Sequence, residues 1–165
     1  MNTVGKAVLV AALLSAMTIF GVGEASSEVA VKIMKFHQSA PHLSTLDAGQ
    51  AGRSPGDIVA FAATVKGEDG LTAELNGYDV IMDIAGETEQ VEDRFTYVVV
   101  NFGDNSTMIV AGRSTFSPAS PEIANGSPQV RAIIGGTGKF IGALGQVTTV
   151  RNPDGSYDHI VELLN

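Results

Sequence analysis

Beyond residue 25, apolar positions occur in short runs that alternate with polar ones. They do not recur at the three- and four-residue spacing of a surface helix over any stretch of ten residues. Eight β-branched and aromatic runs read as strands: Val29–Phe36, Ile58–Lys66, Tyr78–Ala85, Arg94–Phe102, Thr107–Gly112, Gln129–Ile134, Phe140–Val150 and Tyr157–Leu164. The breaks carry turn chemistry, at Lys66–Gly70, Asn76-Gly77, Gly103–Ser106 and Asn152–Gly155. Tight turns pair consecutive strands antiparallel, and eight such strands close into a barrel with no free edge. The expected fold is therefore all-β, an eight-stranded antiparallel, lipocalin-like barrel, with a two-sheet sandwich as the structural rival.

The N-terminal pattern differs. Lys6 precedes an uncharged apolar run from Ala7 to Gly23, and Gly23-Glu24-Ala25 places small residues where a signal peptidase reads them. The run is at the short limit for spanning a bilayer, and no basic stop-transfer cluster follows. Residues 1–25 are expected to be a signal peptide cleaved after Ala25, and residues 26–165 a single secreted or exported barrel domain without a stable membrane anchor. The rival reading is a membrane anchor.

Two connections exceed hairpin length. Gln38–Pro55 is rich in Ser, Gly, Pro and His, and Ser117–Pro128 holds three prolines. Both read either as binding loops or lids or as spacers. Composition narrows the function classes. A formal charge of −8 disfavours nucleic acid and anionic lipid, and the absence of cysteine excludes disulfides and thiolate chemistry. His37 and His42 have no carboxylate at metal spacing beside them and His159 is remote, so no metal site is expected. The Gly138-Lys139 pair is followed by Phe140 rather than Ser or Thr, and Ile133 stands where a phosphate loop needs glycine. No nucleophile elbow is present. Two triplets, Asn105-Ser106-Thr107 and Asn125-Gly126-Ser127, fit the N-glycosylation pattern. Gly135, Gly136 and Gly138 instead allow a sharp turn from Ile134 into Phe140, which would plug the barrel end or core.

Three segments in order carry a family resemblance: Gly56-Asp57-Ile58-Val59-Ala60-Phe61; Asp93-Arg94-Phe95 with Asn101-Phe102-Gly103-Asp104; and Ala132 through Val147, containing Gly-Gly-Thr-Gly-Lys-Phe. Together they resemble the allene oxide cyclase family. The last segment, with Val110-Ala111-Gly112-Arg113, resembles dirigent proteins as well. The resemblance implies a shared barrel whose largely apolar bore folds a reactive substrate for ring closure or orients radicals, and it implies a homotrimer. The positions at which allene oxide cyclases line their site hold Lys32, Met34, Ala63, Asp79 and Ser114 here.

If the family's inward positions carry over, strand alternation puts Met34 and Phe36, Phe61 and Ala63, Asp79 and Ile81, and Met108 and Val110 on the bore face. Asp79 is the candidate acid or hydrogen-bond anchor, and the rival reading is an outward, solvated Asp; Asp83 shares its parity. Lys32, Met34, Phe36, Phe61, Ala63, Ile81, Met108 and Ser114 are the candidate substrate contacts. The expected partner is a small apolar molecule, a polyene, polyketide or oxylipin-like chain, and no cofactor is called for. The leading function is a cofactor-independent cyclase or isomerase of specialised metabolism. The alternatives are a secreted dirigent-like protein that orients radical coupling without catalysis, and a secreted small-lipid carrier.

Overall fold

The computed structural model describes residues 30–83, 91–117 and 120–164. The expected signal segment, and the ends of the first and third expected strands at Val29 and Ala85, lie outside these residues. The elements run β1 (Val31–Gln38), β2 (His42–Leu46), β3 (Ile58–Gly67), β4 (Thr72–Asp83), β5 (Glu92–Asn101), β6 (Thr107–Phe116), β7 (Gln129–Gly136), a 3-10 turn (Gly138–Phe140), β8 (Gly145–Arg151) and β9 (Tyr157–Leu164). Every ladder between them is antiparallel.

The sheet order β1-β9-β8-β7-β6-β5-β4-β3 closes on itself, because the end of β1 also pairs with β3 through Phe36↔Gly67, His37↔Lys66 and Gln38↔Val65. Eight staves result, as the alternation predicts, and the structure is a barrel rather than a sandwich. The ninth strand is an addition to the expected set. β2 continues along β3 from His42↔Ala62 to Leu46↔Ile58, so β1 and β2 together form one interrupted edge. The interruption falls at Ser39–Pro41, where proline has no N–H to offer the ladder.

β4 begins six residues before its expected start and runs straight through Asn76-Gly77, which is therefore no turn. Gly77 is needed for space: a Cβ there would sit 2.6 Å from the Phe61 ring and 2.6 Å from the Tyr97 carbonyl. The expected strand from Phe140 is also shortened. Gly138, at φ 58°, and Gly142, at φ 75°, turn the chain through the 3-10 turn, and β8 starts only at Gly145.

The barrel interior has two levels. At the end formed by the start of β1 and the close of β9, Phe36, Val65, Leu75, Val98, Phe102, Met108, Val110, Ile133, Phe140, Val147 and Leu163 pack into one apolar core. Phe102 and Phe140 meet with ring centroids 4.7 Å apart and seal that end, in agreement with the plug role read for Phe140. Met108 and Ile133 are the most deeply buried apolar side chains, each contributing about 1.5–3 kcal/mol relative to exposure. The opposite end is the mouth, and one belt of buried polar side chains lies between.

Candidate functional site

Around the barrel, seven of the eight staves each turn one polar side chain inward at a common level: Asp79 from β4, Thr96 from β5, Ser114 from β6, Arg131 from β7, Thr149 from β8, His159 from β9 and Gln38 from β1. These side chains are hydrogen-bonded in series. Thr96 Oγ1 lies 2.5 Å from Asp79 Oδ1 and 2.7 Å from Ser114 Oγ. Arg131 Nε lies 2.6 Å from Ser114 Oγ and its Nη1 3.4 Å from Thr149 Oγ1. His159 bridges Thr149 and Gln38 at 3.0 and 2.9 Å. Only β3 adds no polar member; its Phe61 faces the cavity instead.

The proton directions follow from chemistry. A guanidinium only donates, so Arg131 donates to both Ser114 and Thr149. Ser114 is then free to donate to Thr96, and Thr96 to the Asp79 carboxylate. On the other side Thr149 donates to His159 Nδ1, and the imidazole Nε2–H donates to Gln38 Oε1. That arrangement requires a neutral imidazole. Burial, reinforced by the Arg131 charge, holds the His159 pKa down at about 4.

Asp79 is pushed the other way. Burial raises its pKa, against the opposing effects of the Thr96 hydrogen bond and the Arg131 and Arg94 charges. Its Oδ1 is occupied by Thr96, whereas Oδ2 accepts no hydrogen bond among the described residues and lies on the cavity wall. A cavity of ≈ 100 Å³ runs from the mouth past the girdle into the apolar core, its lining reaching from Pro121 and Ile123 at one end to Phe102 at the other. Its wall is mostly apolar, with Phe36, Phe61, Val98, Met108 and Phe116 among its members, and it carries the two carboxylates Asp79 and Glu122.

The mouth is partly covered by the connection between β6 and β7, of which residues 118 and 119 lie outside the description. Arg94, fully buried, donates to Glu92 at 2.6 Å, to the Pro121 carbonyl at 3.1 Å and to the Ser120 carbonyl, and stacks 3.8 Å from the Phe116 ring centroid. Arg53 clamps the same Glu92 from outside at 2.5 and 2.7 Å. Glu122 is fixed by Tyr157 Oη at 3.0 Å and Arg151 Nη2 at 2.8 Å. Pro121, Glu122 and Ile123 therefore form part of the cavity wall. Of the two readings of this connection, the binding-loop one fits.

No protein-family profile and no curated protein sequence matches the chain. Solved structures do. A pyocyanin demethylase superposes with a TM-score of 0.60 at 16% identity, over 80% of this chain and 99% of that one. A heme-binding cyclase described as catalysing a [4 + 2] cycloaddition during neoabyssomicin biosynthesis gives 0.57 at 18%, over 86% and 70%. A pterocarpan synthase dirigent protein gives 0.51 at 18%, over 94% and 100%. The fold is a dirigent-type barrel. At these identities the likeness concerns the fold alone.

Within the dirigent-type barrel, the expected site residues divide. Asp79 is inward and buried, not solvated, and Phe36, Phe61 and Met108 join it on the cavity wall. Ser114 is buried one hydroxyl away, inside the girdle. Lys32, Met34, Ala63 and Ile81 do not reach the cavity. Lys32 and Met34 share the parity of Phe36 but lie toward the sealed end of β1, where Lys32 is exposed and Met34 packs against the core and a surface recess with Phe140. The Ala63 methyl is too short to reach the space lined by Phe61 and Val65 on either side of it. Ile81 is buried at the rim, where its backbone bonds to Gly56 and Asp57. The side chain of Asp83 lies outside the described residues.

Five members of the girdle, Gln38, Thr96, Arg131, Thr149 and His159, are not among the expected contacts. A signal for them exists in the chain. Asp79, Thr96, Ser114, Arg131 and Thr149 follow one another at separations of 17, 18, 17 and 18 residues, one step per stave.

Proposed function

We propose that this chain is a cofactor-independent cyclase or isomerase that folds a small, mainly apolar molecule in the barrel bore. The observation that carries this reading is the free Oδ2 of Asp79, set in an otherwise largely apolar wall and held by the Thr96 bond to its partner oxygen. An apolar wall restricts a flexible chain to a few compact conformers, which lowers the entropic part of a ring-closure barrier. A raised pKa lets the carboxyl keep its proton further toward neutrality and donate it to a carbonyl, while its ionised form is a stronger base than an ordinary carboxylate and accepts a proton from an acidic C–H. Asp79 is the catalytic residue in this reading. Phe36, Phe61 and Met108 shape the substrate, and Ser114 positions Thr96 and through it Asp79.

A wall with a built polar girdle is more than a carrier of inert lipid needs, so the carrier reading is the weaker one. The dirigent reading, orientation of radicals made elsewhere, uses the same bore and is favoured by the apolar N-terminal run, which suits a protein acting outside the cytoplasm. With residues 1–25 read as an export signal, we place the mature chain there, as a trimer; light scattering should return about three times the monomer mass, and a clean monomer would exclude the trimer.

The decisive experiment incubates the purified protein with linear polyene or polyketide precursors taken from neighbouring biosynthetic steps. An accelerated, stereochemically biased ring closure that is lost in Asp79→Asn supports the cyclase. Altered stereochemistry without acceleration, seen only when an external oxidant is present, supports the dirigent alternative. Unchanged rate and stereochemistry in both formats refutes the proposal.

A further inference from the structure

The barrel buries two arginines and treats them differently. Arg94 is fully buried and fully matched: one carboxylate, two carbonyls and an aromatic face surround its guanidinium. Arg131 is 9% exposed, yet no carboxylate oxygen of the described residues lies within 4.0 Å of its nitrogens. Its Nε is anchored by Ser114 at 2.6 Å and its Nη1 by one long contact to Thr149 at 3.4 Å. Nη2 makes no hydrogen bond among the described residues and is not sealed from the cavity that Arg131 lines.

Removing a guanidinium from water costs several kcal/mol unless an opposite charge and hydrogen bonds meet it. The girdle supplies only neutral oxygens to Arg131. Asp79, the one carboxylate in the series, is two hydroxyls away: its charge acts on Arg131 through the bore, but none of its oxygens meets the guanidinium. A planar fork of donors, held through Nε and Nη1 and left with Nη2 unpartnered, can turn its Nη2 N–H groups to an oxyanion approached from the bore.

We propose that the ligand carries one anionic oxygen group, a carboxylate or an ionised enol or phenol, which Arg131 Nη2 receives while the apolar body lies against Phe61, Val98 and Phe116. The substrate class is thus an apolar molecule with a single acidic end, entered acid-first from the mouth. This rests on the bore-binding reading above and narrows it. In this arrangement Ser114 and Thr149 are positioning residues, since they orient the guanidinium and touch no ligand.

Calorimetric titration of the purified chain with naphthoate, with its neutral amide and with a naphthylmethylammonium tests the idea. The expected order is naphthoate tighter than the amide by about tenfold, with no measurable binding of the cation. Arg131→Met should remove the naphthoate preference and leave the amide within about twofold, and Ser114→Ala, which frees Nε, should reduce the preference in part. The wild-type comparison stands even where Arg131→Met does not fold. Equal binding of naphthoate and amide, or a preference that survives Arg131→Met, overturns the anionic-ligand proposal and leaves the bore reading intact. Failure of all three probes to bind overturns both.

Discussion

His159 offers the sharpest test of the girdle, because its environment fixes both a direction and a size. Burial, then the Arg131 charge, lowers its pKa from 6.5 to about 4. In the unfolded chain the imidazole titrates near its ordinary value of about 6.5. Between the two values the unfolded chain binds a proton that the folded chain does not. The stability owed to the neutral imidazole is therefore complete above pH 6.5, falls as pH falls through the window, and changes no further below about pH 4. The gap corresponds to about 3 kcal/mol, a large part of a typical domain's stability. Replacing the group by His159→Gln removes the titration. Near pH 7 the variant should be less stable by about 1–3 kcal/mol, since its amide cannot reproduce both the Thr149 and the Gln38 bonds. Near pH 4.5 the deficit should shrink or reverse. Urea unfolding at intervals of pH from about 7.5 to 4 measures this directly, and the aspartates contribute equally to both proteins. Parallel stability curves for wild type and variant across the window would refute the neutral-imidazole girdle.

Three further outcomes follow from single contacts. Asp79→Asn keeps an acceptor for Thr96 and removes the buried charge, so the variant should gain stability at neutral pH. The gain should fade as pH falls through the raised Asp79 pKa toward 3.8, where the wild-type carboxyl becomes neutral unaided; a gain that grows on acidification would contradict the burial argument. Gly77→Ala forces a methyl against the Phe61 ring and the Tyr97 carbonyl, and should cost about 1–3 kcal/mol in urea unfolding; a neutral result would mean that β4 and Phe61 separate freely. Arg94→Met leaves Glu92 to Arg53 alone and strands the Ser120 and Pro121 carbonyls, and should lower stability by about 1–3 kcal/mol while amide exchange at Ile123 quickens; unchanged exchange there would show that Arg94 does not hold the mouth segment.

Much of the fold was legible because β structure writes itself in period two and turns write themselves in Gly, Asn, Asp and Pro. The missed strand and the late start expected for β4 have local causes. β2 carries only Leu43 and Leu46 as large apolar residues, all five of its positions are exposed, and it pairs on one edge, so neither burial nor alternation marks it. The first half of β4 was hidden by Asn76-Gly77, which has the chemistry of a tight turn but occurs here because the Phe61 ring occupies the space of a side chain. Asp79 was found by parity with its neighbours. Arg131 was not, because the apolar set of β7 is the outward one: Val130 and Ile134 are 54% and 52% exposed, whereas the charged residue between them points inward.

That inversion follows from how a barrel closes. Tilted staves mean that side chains at one level are not always ladder partners. Asp79 does pair with Thr96, and Thr149 with His159. Ser114, however, pairs with Arg94 rather than Thr96, and Thr149 with Gln129 rather than Arg131, so the girdle steps diagonally at those junctions. A rule that expects apolar residues inside assigns each strand separately and puts Arg131 outside. The ring appears only when all seven staves are placed at once, because each hydroxyl needs a donor on one side and an acceptor on the other. A single donor-only group, Arg131, sets the direction on both sides, which is why Asp79 and Gln38, both presenting acceptor oxygens, terminate the series. The same geometry leaves Arg131 Nη2 and Asp79 Oδ2 unmatched within the girdle, two polar positions at which the proposed ligand would be held.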